Sequence, residues 1–154
     1  MTDDLKEDVR NAIELTRDGQ LEDAMGIFER CIPTLTEGSI DEKRFAAAAM
    51  SYYGVCVALV QRHYAEGVKY CQISIRANSL DPEHLYNLAR IYAERDDRRH
   101  AVDAITKGLR LVPSHRRLNA LFDELGRRRR PVIPFLSRNN PLNIWLGKKR
   151  RERA

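Results

Sequence analysis

Residues 82–115 read PEHLYNLARIYAERDDRRHAVDAITKGLRLVPSH. Leu85, Leu88, Ala89 and Tyr92 recur at helical spacing, which predicts an amphipathic helix with one apolar face. The polar pair Asp96-Asp97 breaks the pattern. A second stripe then runs through Ala101, Val102, Ile105, Gly108 and Leu109, and Pro113 ends it. Two helices and a turn therefore fit within this one stretch.

The same template fits twice upstream. In residues 5–38, Ala12 matches Ala89 and Leu15 matches Tyr92, with Asp18-Gly19 as the turn. Ala24, Phe28, Cys31 and Ile32 then match Ala101, Ile105, Gly108 and Leu109. In residues 48–81, Val55 and Ala58 take the first-helix places, and Gly67, Cys71, Ser74 and Ile75 the second-helix places. Small residues at Ala24, Gly67 and Ala101 allow the two helices of a unit to approach closely. The interval from Ala24 to Gly67 exceeds that from Gly67 to Ala101 by nine positions, so an insert, Ser39 to Ala47, lies between the first two units. That insert is expected to lengthen the first helix of unit two. Unit two departs most from the template, with Ser51 and Gly54 where large residues are usual.

This pattern, large-x-x-Leu-small-x-x-Tyr, then Ala-x-x-x-bulky-x-x-small and Pro, resembles the tetratricopeptide-repeat (TPR) family over residues 5–115. The resemblance implies an all-α fold: three helix-turn-helix repeats (about 5–38, 48–81 and 82–115) in a short right-handed α-solenoid. Leu118, Leu121, Phe122 and Leu125 follow at i, i+3, i+4, i+7 spacing, which predicts a capping helix over about 116–128 that covers the open end of the stack. The predicted organisation is a TPR domain over 1–126 and a basic, Pro-containing extension over 127–154. The alternative to a repeat array is an ordinary helical bundle.

In the TPR family the first helices line a concave surface where ligand peptides lie. Carried across, that surface comprises Lys6, Val9, Arg10, Ile13 and Arg17 from repeat one, and Ala49, Tyr52, Tyr53, Cys56 and Leu59 from repeat two. Repeat three contributes Glu83, Tyr86, Asn87 and Arg90. The candidate peptide-binding groove is Val9, Arg10, Ile13, Tyr52, Tyr53, Cys56, Tyr86, Asn87 and Arg90. Tyrosines offer contact area and a hydrogen bond at little entropic cost. Equally, the lengthened helix could bury Tyr52 or Tyr53 under the insert. Family members that hold acidic chaperone tails use Lys, Arg and Asn at positions that correspond here to Val9, Ile13, Tyr53, Glu83 and Asn87. Only Asn87 is of a suitable type, so that ligand is not expected.

Charge is unevenly placed. Residues 1–125 carry 17 Lys+Arg against 21 Asp+Glu, a net of −4, and residues 126–154 carry 10 against one, a net of +9. The extension reads RRRRPVIPFLSRNNPLNIWLGKKRRERA from Arg127. Pro131, Pro134 and Pro141 forbid one continuous helix, and Asn140-Pro141 suits the start of a short one. Its PVIPFL-SR-NPLN-LG pattern resembles the ends of bacterial TPR proteins. Three readings stay open: Phe135, Leu136 and Trp145 dock on the repeats, they dock on a partner, or the basic runs bind phosphate. Arg127, Arg128, Arg129, Arg130, Lys148, Lys149, Arg150 and Arg151 are the candidate phosphate ligands, on nucleic acid or an anionic membrane surface, and such binding would weaken steeply with salt.

No catalytic constellation is visible. His63, His84, His100 and His115 are scattered near helix ends and form no HExxH motif, and no Gly-rich phosphate loop follows a strand. Cys31, Cys56 and Cys71 form no CxxC pair, so free buried thiols in a reducing, cytoplasmic setting are expected. The start, MTDDLKEDV, lacks the basic and apolar regions of a secretory signal. The apolar stretch Phe45 to Gln61 reads as a buried helix rather than a membrane span. Neither cofactor, metal nor small-molecule substrate is expected. The expected function is that of a non-enzymatic scaffold for a protein or peptide partner, with a nucleic-acid or anionic-surface adaptor as the alternative and a homodimer left open.

Overall fold

Residues with left-handed backbone punctuate the chain. Gly19, Arg62 and Asp96 have φ of 87°, 61° and 61°. The interval between the first two is nine positions longer than that between the last two, as in the sequence pairings. Each stands in the turn between the two helices of a unit in the computed structural model, which describes residues 1–35 and 38–127. Among these residues the helices are α1 (Asp3–Asp18), α2 (Leu21–Cys31), α3 (Ile40–Val60), α4 (Tyr64–Ala77), α5 (Pro82–Glu94), α6 (Arg98–Leu111) and α7 (Arg116–Arg127), with a short 3-10 turn (Ile32–Thr34) after α2 and no strand.

The helix ends follow local chemistry. Thr2 accepts a hydrogen bond from the Leu5 amide at the start of α1. At the start of α3, Ser39 and Glu42 cap each other's backbone reciprocally, at 3.2 and 3.0 Å, which satisfies two amides that would otherwise lack partners. Asp81 caps α5 ahead of Pro82, whose fixed φ suits the first helical position. The insert is absorbed as extra turns, so α3 reaches 21 residues where α1 has 16 and α5 has 13.

Gly19 closes α1 by donating its amide to the Leu15 carbonyl. A Cβ there would meet nothing within 4 Å, so only the left-handed φ disfavours a side chain. We expect Gly19→Ala to destabilise the protein by about 1 kcal/mol, read as a lower urea midpoint with an unchanged slope. An unchanged midpoint would refute the left-handed assignment.

Packing runs pair by pair: α1 on α2, α3 on α4, α5 on α6, and each pair on the next. One apolar cluster gathers Val9, Ala12, Phe28, Tyr52 and Cys56, and another gathers Val55, Cys71, Leu88, Ile91, Ile105 and Leu118. Because α3 contributes to both, it joins repeat one to the rest. The expected small positions Ala24, Gly67 and Ala101 are all buried. Ser51 and Gly54, the departures in repeat two, face close neighbours: a Cβ on Gly54 would lie 2.8 Å from the Gly67 carbonyl oxygen. At the open end, Leu118 and Leu125 of α7 are 0% and 3% exposed, with Leu118 seated over Gly108. The capping helix expected over 116–128 thus occupies Arg116–Arg127. The basic extension lies outside the described residues.

Candidate functional site

Helices α1, α3, α5 and α7 adjoin one another in that order. They present equivalent positions to a common face. Ala49, Glu83 and Arg117 follow one another at one repeat length, as do Tyr52 and Tyr86. The outcome is a polar network centred on Glu83. Tyr52 donates its hydroxyl hydrogen to Glu83 Oε2 at 2.7 Å. Arg17 Nε and Arg117 Nη2 each donate to Tyr52 Oη at 3.0 Å. Arg117 also bonds Glu83 Oε2 directly, and His115 Nε2 lies 2.9 Å from Glu83 Oε1. The Arg117 guanidinium sits over the Tyr86 ring, 4.7 Å from its centroid, a cation–π contact.

The electrostatics follow from this geometry. Burial alone would raise the Glu83 carboxyl, but the bonds from Arg117, Tyr52 and His115 outweigh it and hold the group down at about 2. Burial, reinforced by the neighbouring Glu83 carboxylate, pushes the Tyr52 hydroxyl up to about 12. Burial disfavours the charged Arg117, yet its bonds to Glu83 and Tyr52 leave it raised above its ordinary value. Further along the face, Arg90 Nη1 reaches the Thr16 carbonyl oxygen at 3.5 Å, tying α5 to the end of α1 across α3.

The structure places the candidate groove residues at several depths. Arg10 is exposed, and Ile13, Tyr86 and Arg90 are half-buried. Val9, Cys56 and Asn87 are fully enclosed, and Tyr52 is 2% exposed. These four are therefore interior residues, because α3 lies between its neighbours and buries the sides of their first helices. Val9 and Cys56 belong to the apolar cluster of α1–α3, and Asn87 donates to Ser51 Oγ at 3.1 Å. Tyr52 is buried in the apolar cluster of α1–α3, and Arg17 and Arg117 cap its hydroxyl. Tyr53 turns the other way and packs edge-on against Phe28 of α2 and Tyr70 of α4, with centroids at 6.2 and 5.1 Å. Phe135, Leu136, Trp145, Arg128 to Arg130 and Lys148 to Arg151 lie outside the described residues, as does the side chain of Arg127.

The network includes four residues absent from the sequence-based groove: Arg17 and Glu83, which the sequence placed on the wider concave surface, and Arg117 and His115, which it did not place there. A signal for Arg117 existed: it repeats the place of Glu83 once α7 is counted as a first helix. His115 lies in a turn, where the repeat pattern carries no information. Beneath the face, His84 is fully buried and neither of its ring nitrogens has a hydrogen-bond partner, and burial lowers its pKa. All three cysteines are buried and free, and burial raises the thiols of Cys31, Cys56 and Cys71. Among the described residues, no cluster of His, Cys, Asp or Glu is placed to hold a metal ion, and no helix is long and apolar enough to cross a membrane.

Comparison with solved structures places this architecture. The chain is similar to the Hsp90 co-chaperone Cns1 from Saccharomyces cerevisiae, with a TM-score of 0.63 at 14% identity. That match covers 96% of this chain and 43% of the Cns1 chain, so this protein spans less than half of that one. It is also similar to PcrH from Pseudomonas aeruginosa, with a TM-score of 0.56 at 16% identity over 82% of this chain and 90% of that one. A third match is PcrH in complex with the chaperone binding region of PopB, with a TM-score of 0.51 at 14% identity over 82% and 96% of the two chains. No family model matches the chain, and no curated protein sequence matches it. Likeness at this identity defines the fold: an all-α, TPR-type helical-repeat solenoid.

Proposed function

We propose that the protein is a non-catalytic interaction scaffold that holds a peptide or protein segment along the face built by α1, α3, α5 and α7. The observation that carries this reading is the composition of what that face leaves accessible. Ile13 and Tyr86 offer half-buried apolar contact, and the exposed Arg10 and Arg17 and the half-buried Arg90 on the same helices offer donors. Such a mixture of a recessed aromatic and planar guanidinium groups is the usual make-up of the residues that dominate protein recognition. The structural neighbours support the same class, since one is a co-chaperone and another holds a segment of PopB. Buried free thiols suit a reducing compartment, and we place the protein in the cytoplasm.

The acidic chaperone tail remains unsuited to this surface. Of the five positions that would grip it, Val9 and Asn87 are enclosed, Tyr53 faces α2 and α4, Ile13 is apolar, and Glu83 is negative and already bonded.

The test is affinity capture from native lysate with the full chain and with Tyr86→Ala/Arg90→Ala, at low and high salt, after checking that both fold. Loss of at least tenfold in the captured partner is expected for the double variant, with wild-type capture persisting in high salt. Equal capture by both chains would overturn the reading.

A further inference from the structure

The register of the repeats extends past the third, and it exposes an incomplete fourth. Shifting α5 by one repeat length lays Leu85, Leu88, Ala89 and Tyr92 onto Asn119, Phe122, Asp123 and Gly126 of α7. In α5 that set faces its own second helix: Leu88 is 8% exposed, and Tyr92 stacks on His100 of α6 at 5.1 Å. In α7 the equivalent face has no described helix over it. Phe122 is 44% exposed, and a Cβ on Gly126 would meet nothing within 4 Å. The same shift lays Ala101 and Val102 of α6 onto Phe135 and Leu136.

We propose that residues 131–136, PVIPFL, take the place of the missing second helix and dock in cis on the α7 face formed by Phe122 and Gly126. This inference is independent of the groove reading. The receiving face lacks a side chain where α5 has Tyr92 and keeps Phe122 as its one large apolar group beside the polar Asn119 and Asp123, and Phe135 is the large apolar side chain of the segment that follows. Pro131 and Pro134 exclude a regular helix, and an extended apolar strip suits a face with one large side chain. The reach is ample. Eight residues from Arg127 to Phe135 span up to about 27 Å extended, while Phe122 lies only about 7.5 Å back along α7 from Arg127. Charge agrees as well, since exposed Asp123 and Glu124 stand close in the chain to the run Arg128 to Arg130.

Hydrogen exchange across α7 in the full chain tests this. Phe135→Ser is expected to lower protection of the α7 amides at least tenfold, with Phe122→Ser doing the same. The double variant should then show no further loss, the signature of two side chains in one contact. Phe135→Leu should keep most of the protection, and Trp145→Ser, outside the segment, should leave it within twofold. Unchanged protection in Phe135→Ser overturns the proposal, and so does an equal loss in Trp145→Ser. Protection that rises with protein concentration would assign the face to a second copy and also overturn docking in cis. Phe122 is outside the buried core, so these variants keep the repeats intact.

Discussion

Gly67→Ala is expected to cost at least about 3 kcal/mol, a large part of the 5–15 kcal/mol that holds a typical domain folded. The reason is the crossing of α3 and α4. A Cβ at position 67 would fall on the Gly54 carbonyl oxygen and would lie 2.7 Å from the Ala58 Cβ. None of these atoms is the end of a flexible side chain, so relief requires the two helices to separate. That would loosen Val55 and Cys71, both fully buried at the same interface. Urea unfolding measures the effect, and Gly26→Ala supplies the control. Gly26 lies within α2 with nothing within 4 Å of a Cβ, so alanine there should be neutral or stabilise by up to about 1 kcal/mol. If both variants behaved alike, the close crossing would be wrong.

Glu83→Gln is expected to cost about 2–3 kcal/mol at neutral pH. The Glu83 carboxyl is held at about 2 against an ordinary 4.5, and each unit of such a shift is worth about 1.4 kcal/mol. Its side chain is 21% exposed, so solvent screening takes only a modest share. The sign follows from the direction of the shift. The folded value is depressed, so the stabilisation is fully present above about pH 4.5 and is lost as pH falls toward 2. Wild-type protein should therefore lose stability steeply over that window. The variant should start lower and fall less steeply, retaining only the acid dependence of other depressed carboxylates such as Asp97 and Asp103. The substituted amide could still accept from Tyr52 and Arg117, but Arg117 would be left partly buried beside a neutral group. Parallel acid limbs in the two proteins would show that Glu83 does not anchor α7 to α3 and α5.

The network commits part of this face to holding the helices together. Arg17, Tyr52, Glu83 and Arg117 come from four successive first helices, so their bonds tie α1, α3, α5 and α7 together. Tyr52 and Glu83 are committed to structure. On the proposed reading, recognition falls to what remains accessible, and Tyr86, half-buried beneath the Arg117 guanidinium, is the residue whose truncation tests it.

Much of this fold was legible in the chain. Small residues at Ala24, Gly67 and Ala101 marked the helix crossings, and Gly19 marked a turn by the one residue that takes a left-handed φ without strain. Arg62 and Asp96 occupy the equivalent turns in the same conformation; aspartate takes it more readily than most residues, while arginine does not announce it. The apparent irregularity of Ser51 and Gly54 was a local demand for close packing. Asn87 shows the reverse, a polar residue read as surface that is 0% exposed, where its Nδ2 donates to Ser51 Oγ and its Oδ1 has no hydrogen-bond partner among the described residues.

The sequence by itself determined the repeat length, the insert, the number of helix pairs and the capping stripe, because these depend on helical periodicity and on which residues tolerate turns and close approach. Only the tertiary structure decided which side of each first helix is covered, that Tyr53 turns toward α2 and α4, and that Glu83 gathers Tyr52, His115 and Arg117. Periodicity places a residue on a helix face to within a wide sector. The neighbours packed on either side divide that sector, and they send Tyr52 into the Glu83 network and the adjacent Tyr53 against Phe28 and Tyr70.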